Sequence, residues 1–244
     1  NLNQKFILLM KLAIFVQARL TSKRFPNKIL SKVNNKYLLF NLLKNLSGVN
    51  KYAKVFVLIP LGKDNDRLHK LLKKRYTVFR GKETNVLDRF YQAAKKYNVE
   101  NIMRITSDCP LANVTIIRKI IKKFFSNKYD YVSNTVQRTF PHGMDAEIFR
   151  FSALYTAWKK SRSKYDKEHV TPYIIRNAKR KFQFKSDKNY SNIRITLDFK
   201  EDLILIKKIL NYFHPRINLK MSEIIRLSQD FPHWFKINKK YNKF

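Results

Sequence analysis

The sequence predicts an α/β fold: a single domain built on one mostly parallel β-sheet flanked by helices. Three observations carry that reading. From residue 12 onward, short runs of β-branched and aromatic residues alternate with longer stretches of helical period. The 244 residues suit one domain, and no linker rich in Gly, Ser or Pro divides them. Hydrophobic residues make up 44% of the chain and aromatic residues 14%, enough to build a core, which excludes a disordered basic tail or a histone-like arm.

Taken in order, LAIFVQ (12–17) reads as a buried strand, and residues 37–46 as the helix that follows a long polar loop. AKVFVLIP (53–60) is the second strand, 64–75 the second helix and 77–79 a short third strand. Residues 86–97 form an amphipathic helix with Val86, Phe90, Ala93 and Ala94 on one face. NIMRIT (101–106) is a strand running into SDCP, where Pro110 suits the start of the next helix, 114–125. Residues 129–134 are another strand, and GMDAEIFR (143–150) alternates like a half-exposed one. Helices are expected over 151–161, 167–176 and 201–211, and short strands over 182–184 and 193–197. The domain is expected to span 10–244, with 135–190 as a lid or dimerisation insertion. The chain begins with Asn, and Met10 directly precedes the first strand pattern, so residues 1–9 read as an upstream extension.

A formal charge of +35, from 52 Lys and Arg against 17 Asp and Glu, would draw polyanions such as nucleic acid. The basic residues are nevertheless scattered along the chain, and Lys, Asn, Ile, Phe and Tyr are the residues of A/T-rich codons. A base bias in the genome accounts for the charge without a nucleic-acid site, and no zinc-finger, RNP-type, basic-zipper or GXXG signature opposes that. Lys119, Lys122 and Lys123 fall at helical spacing, as on a solvated helix face. A single Cys excludes a disulfide framework and a Cys-rich zinc module, and points to a reducing cytoplasm. The longest apolar run, 6–16, is broken by Lys11, so no membrane span is expected where about 20 apolar residues are required.

The loop QARLTSKRFPNKIL (17–30) gathers Arg19, Ser22, Lys23, Arg24 and Lys28 after the first strand. Ligands of open α/β sheets bind outside the carboxyl ends of the strands, where a fork of Arg and a point charge of Lys suit a triphosphate. A solvated basic loop in a basic protein is the other reading, and spacing alone leaves both open. Lys28, as a loop residue, is expected to supply charge and little packing. Asp108 and Asp198 each close a strand pattern, so their carboxylates can converge on a hard cation such as Mg²⁺ or can cap the helices that follow. Asp145 and Glu147, two apart on the expected strand and beside Pro141, His142 and Gly143, suit sugar hydroxyls, or else a solvent-facing strand surface. Glu168 and His169 open EHVTP and are read as substrate contacts. Cys109 has no His partner for a thiolate mechanism and is read as packing.

The pattern R-x-x-S-x-R-F-P-x-K, here Arg19, Ser22, Arg24, Phe25, Pro26 and Lys28, resembles the nucleotide signature of the cytidylyltransferases that make CMP-sugars. That group includes the acylneuraminate and KDO enzymes, and the chain is most similar to its spore coat polysaccharide biosynthesis protein F branch. The stretches 79–97, 104–111, 131–149 and 168–174, followed by RITLDFKEDL (194–203), agree with it in the same order, so the resemblance covers about residues 11–211. It departs from the family at Thr21, Asn27 and Ser107, where relatives carry Gly. Asn tolerates a left-handed backbone, whereas β-branched Thr21 would be strained in one.

The resemblance implies a nucleotide-diphospho-sugar-transferase, GT-A-like Rossmann-type fold. It also implies a Mg²⁺-dependent transfer of CMP from CTP to an acidic or modified sugar, releasing pyrophosphate, for surface polysaccharide assembly. Arg19, Lys28 and Asp108 would then act in catalysis. Gln17, Ala18, Arg19, Ser22, Arg24, Lys28, Arg80, Gly81 and Arg104 would bind the nucleotide. Asp145, Glu147, Glu168 and His169 would face the sugar, and Asp108 and Asp198 the metal. Related enzymes are often homodimers. Two other classes stand beside this one: a degenerate nucleotide-binding module of a glycan pathway, which the lost glycines would suit, and a basic nucleic-acid-binding protein.

Overall fold

A computed structural model of the chain describes residues 11–242. The expected upstream extension, 1–9, lies outside the described residues, as do position 10 and the last two residues of the expected domain. The main sheet has seven strands, built from β1 (Leu12–Gln17), β4 (Lys54–Pro60), β5 (Thr77–Gly81), β6 (Asn101–Thr106), β7 (Tyr131–Ser133), β8 (Glu147–Arg150) and β9 (Lys181–Gln183). Its order is β5-β4-β1-β6-β8-β7-β9. The first four run parallel, β8 enters antiparallel between β6 and β7, and β9 is parallel to β7. β2 (Lys32–Val33) and β3 (Lys36–Tyr37) form a separate hairpin that the hydrophobic pattern does not announce; its turn residues Asn34 and Asn35 are both left-handed.

Both faces of β1 are covered, and so its sequence is apolar from Leu12 to Val16 rather than alternating, with polar Gln17 only at its carboxyl end. Leu12, Ile14 and Val16 join one buried cluster, and Ala13 and Phe15 the other. The first cluster is closed by α1 (Leu38–Leu46), α2 (Asp66–Leu72), α4 (Val114–Ser126), α8 (Lys200–Tyr212) and α9 (Met221–Asp230). The second is closed by α3 (Val86–Lys96) and α5 (Phe151–Lys160). The short helices α6 (Lys164–His169), α7 (Pro172–Asn177) and α10 (Pro232–Lys236) complete the set. Among the described residues no helix is long and apolar enough to cross a membrane.

Several local expectations change. α4 is started by Asn113, whose side chain accepts from the Ile116 N–H at 3.0 Å, while Pro110 lies in the preceding turn. Lys119 and Lys122 are exposed as expected, but Lys123 is half-buried over the Phe182 ring at 4.2 Å. The strand expected at 143–150 begins only at Glu147 and is buried rather than half-exposed, because β8 has a neighbour on either side. The helix expected over 167–176 is two helices: Val170 is left-handed and Pro172, which has no N–H to continue the first, starts the second. Residues 193–197 form no strand, only a bridge between Arg194 and His142. They run beside the Asp108 turn, where Leu197 N–H and the Thr196 hydroxyl both donate to the Asp108 carbonyl.

Candidate active site

Chain order creates the crevice. From β1 the chain moves outward to β4 and β5, then returns to the other side of β1 as β6. The β1/β6 boundary is therefore the switch point at which open α/β sheets bind ligands. Gln17 and Thr106 lie side by side at the carboxyl ends of these strands. The basic loop and the Asp108 turn leave from those two positions. Ala18 is buried and donates to the Leu58 carbonyl, and Leu20 N–H donates to the buried Asn65 side chain. Ile29 and Leu30 anchor the far end of the loop in the core. Between them Arg19, Lys23 and Arg24 are exposed, while Ser22 is half-buried. Asn27 takes the left-handed conformation expected of it, at φ 57°. Thr21 and Ser107 do not have positive φ, so the substitutions there cause no backbone strain. The Thr21 hydroxyl instead donates to Glu83 at 2.5 Å, tying the loop to the start of α3.

Lys28 departs most from its expectation. It is 8% exposed, not a solvated loop cation, and its ammonium lies 2.9 Å from Asp198 Oδ1 and 3.4 Å from Asp108 Oδ2. It thus joins two carboxylates that the sequence separates by ninety residues, Asp108 in the turn after β6 and Asp198 in a segment that is not the expected strand. Asp198 also meets Arg24 at 2.8 Å and Arg194 at 3.3 Å. Burial would raise the Asp198 carboxyl, but Lys28 and then Arg24 outweigh it and hold the group at about 2. Neither Asp is a helix cap. Phe199 precedes α8, and the fully buried Asp202 accepts from the N–H groups of both Asp198 and Phe199. Asp202 also takes a bidentate pair from Arg194, both contacts 2.9 Å.

The same geometry tests the expected Mg²⁺. Among the described residues no three His, Cys, Asp or Glu side chains cluster as a metal cage. Mg²⁺ is commonly held by one or two carboxylates with phosphate oxygens and water completing its shell. Asp108, 30% exposed along its side chain, with the Cys109 thiol 3.7 Å from Oδ1, fits such a role. Asp198 is already matched by three cations in this arrangement. Cys109 itself is buried, and burial followed by the Asp108 charge pushes its thiol well above the ordinary range, as suits packing.

Beside the crevice lies a cavity of about 400 Å³ lined by Arg104, Arg138, Asp145, Glu147, Tyr165 and His169, among others. Asp145 and Glu147 both reach it, though only Glu147 is on a strand. Glu147 is ion-paired with Arg104 and accepts from the Tyr131 hydroxyl at 2.7 Å; Arg104 also donates to the Gln17 side chain at 3.3 Å. Burial and then the Glu147 charge push the Tyr131 hydroxyl well above its usual value. Asp145 is paired with Arg138. His142 is held below 6.5 by burial, against the opposing pull of Asp145. His169 closes α6 rather than opening a helix, and its ring lies 4.5 Å from that of Tyr165. Glu168 reaches Arg19 at 3.8 Å, so α6 borders the basic loop.

Arg80 and Gly81 are on β5, two strands from β1, and are not brought to Lys28. Arg80 holds Asp66 at 2.7 Å and the Gly62 carbonyl at 2.9 Å. Gly81 makes room for Arg89: a Cβ there would lie 2.8 Å from Arg89 Cγ. Arg89 is buried and donates to the Lys82 and Glu83 carbonyls, and burial followed by the Arg19 charge lowers it to about 10. Glu83, Arg89, Arg194 and Asp202 were not legible as site-shaping residues. Glu83 meets Thr21 from 62 positions away, whereas Arg89 and the Arg194–Asp202 pair find partners within eight residues, each between a helix and the stretch before it rather than along one helix or strand face.

The sequence model of the cytidylyltransferase family matches residues 13–238. An uncharacterized protein of Methanocaldococcus jannaschii is 36% identical, over 94% of this chain and 95% of its own length. Spore coat polysaccharide biosynthesis protein SpsF of Bacillus subtilis is 26% identical, over 87% and 91%. The solved structure of a cytidylyltransferase from Leptospira borgpetersenii superposes with a TM-score of 0.87 at 31% identity, covering 93% of this chain and 97% of that one. With a nucleotidyltransferase sheet, a basic loop at its switch point and a family match along nearly its whole length, this chain belongs to the cytidylyltransferase family.

Proposed function

We propose that this chain transfers CMP from CTP to a hydroxyl of an acidic or modified sugar, giving a CMP-sugar and pyrophosphate. The observation that carries the reading is the switch-point cluster: Arg24 and Lys28 from the loop after β1, Asp108 from the turn after β6, and Arg194 with Asp198 from the 194–202 segment, with Arg19 at the rim. The sugar hydroxyl would attack the α-phosphorus in line as the bond to the β-phosphate breaks. Negative charge then grows on the α-phosphate oxygens and the leaving pyrophosphate, so positioning and neutralisation are what the protein must supply. Arg19 and Arg24, two of the exposed cations of the loop, would hold triphosphate oxygens, and Lys28 has a third N–H beyond those directed at Asp108 and Asp198. Asp108 would hold Mg²⁺, which when bound would neutralise phosphate charge. The cavity of Arg104, Asp145, Glu147 and His169 would take the sugar, with the carboxylates accepting from its hydroxyls. The name of the SpsF relative supports a polysaccharide setting.

The test is a nucleotide panel read by melting temperature and by pyrophosphate release with acidic and deoxyamino sugars. CTP with Mg²⁺ is expected to raise the melting temperature more than ATP, GTP or UTP, by mass action on the folded state. Equal shifts for all four would refute the cytidylyl reading. Binding of CTP without pyrophosphate release across the sugar set would favour a non-catalytic module.

A further inference from the structure

The last turn of the chain contacts the backing of the phosphate-facing cluster rather than packing on the core alone. Asn238, 1% exposed, donates through Nδ2 to the Arg194 carbonyl at 3.1 Å and to Asp202 Oδ1 at 2.8 Å. It thereby holds both members of the pair that fixes Asp198. Three residues on, Tyr241 stacks on Phe199 with ring centroids 3.7 Å apart and planes within 5°, and its hydroxyl donates to Glu201 at 3.0 Å. Tyr241 takes one face of the Phe199 ring, and the Arg24 guanidinium lies over the same ring at 5.0 Å while holding Asp198. Asn242 adds hydrogen bonds to the Ser191 and Asn192 carbonyls, so the turn grips both ends of residues 191–202.

We propose that this C-terminal turn is a positioning element for the nucleotide cluster, with Tyr241 setting the place of Arg24 through Phe199 and Asn238 setting Asp198 through Asp202 and Arg194. The turn's effect reaches the triphosphate only through Arg24 and Asp198, and in that respect the inference rests on the CTP reading. Arg24 is more than half exposed along its side chain, so without Phe199 held in place beneath it by Tyr241 the guanidinium would explore many rotamers, and ordering it would oppose binding.

The experiment has two arms, on the full chain. In ligand-free protein, side-chain NMR of the Arg24 Nε–H reads whether Arg24 is held over Phe199. Wild type and Tyr241→Phe should give one ring-shifted resonance, and Tyr241→Ala should lose the shift; Tyr241→Leu, which keeps apolar cover without a ring, is the second variant should Ala fold poorly. In the other arm, Tyr241→Ala should weaken CTP about 2- to 5-fold, in Kd and KM with kcat nearly unchanged. The effect should vanish in an Arg24→Ala background. An unchanged Arg24 resonance overturns the proposal, as does the same CTP penalty with and without Arg24, or a Phe variant that behaves like Ala. If wild type binds no nucleotide, the CTP reading alone fails, and the NMR arm still decides whether the turn positions Arg24.

Discussion

Replacing Lys28 by Met keeps the length of the side chain and removes its charge. The structure sets the expected cost. Asp198 is held at about 2 against an ordinary 3.8, a displacement corresponding to roughly 2–3 kcal/mol, supplied by Lys28 and then Arg24 against burial. Lys28 is the leading lowering influence, so its loss should cost about 1–2 kcal/mol, or roughly 4 °C in melting temperature for a chain of this size. The sign of the pH dependence follows. A carboxylate with a depressed value contributes stability that is present above 3.8 and is lost as pH falls through about 2. The difference in melting temperature between wild type and Lys28→Met should therefore be widest at neutral pH and close between about pH 4 and pH 2. In the same variant CTP affinity should fall about 10-fold or more, from loss of a charge-assisted contact. Circular-dichroism melts across pH and calorimetric CTP titration check both statements. A variant as stable as wild type at pH 7, or a deficit that does not change with pH, would show that Lys28 does not compensate these carboxylates.

Asp108→Asn keeps the size of the side chain and should leave the unfolding free energy within about 1 kcal/mol of wild type while turnover collapses or demands far more Mg²⁺; near-normal pyrophosphate release with unchanged Mg²⁺ dependence would remove Asp108 from the reaction. Gly143→Ala should cost more than about 2 kcal/mol, because Gly143 has φ 115° and a Cβ would lie 2.7 Å from the Ile195 and Thr196 backbone; a chemical-denaturation midpoint close to wild type would refute that account.

The α/β class was legible because periodicity reports burial directly: a strand covered on both faces is a continuous apolar run, as in LAIFV, and a helix on that sheet buries every third or fourth residue, as in Val86, Phe90 and Ala93. The basic loop and Asp108 were legible as well, because the loops after β1 and β6 carry their own local chemistry. Tertiary structure decided the rest. β8 inserts antiparallel in the middle of the sheet, and its burial, with that of Glu147, depends on neighbours at β6 and β7 that no local pattern encodes. α9 is clearly amphipathic, burying Ile224 and Leu227, and its period lies in the sequence although no helix was expected there; only the five-residue α10 is too short to show one. Lys28 reads as a surface cation by residue type. It became a buried bridge only because the β1 loop, the β6 turn and residues 194–202 meet at one point, where a charge is stable in low dielectric only with its counter-charges beside it.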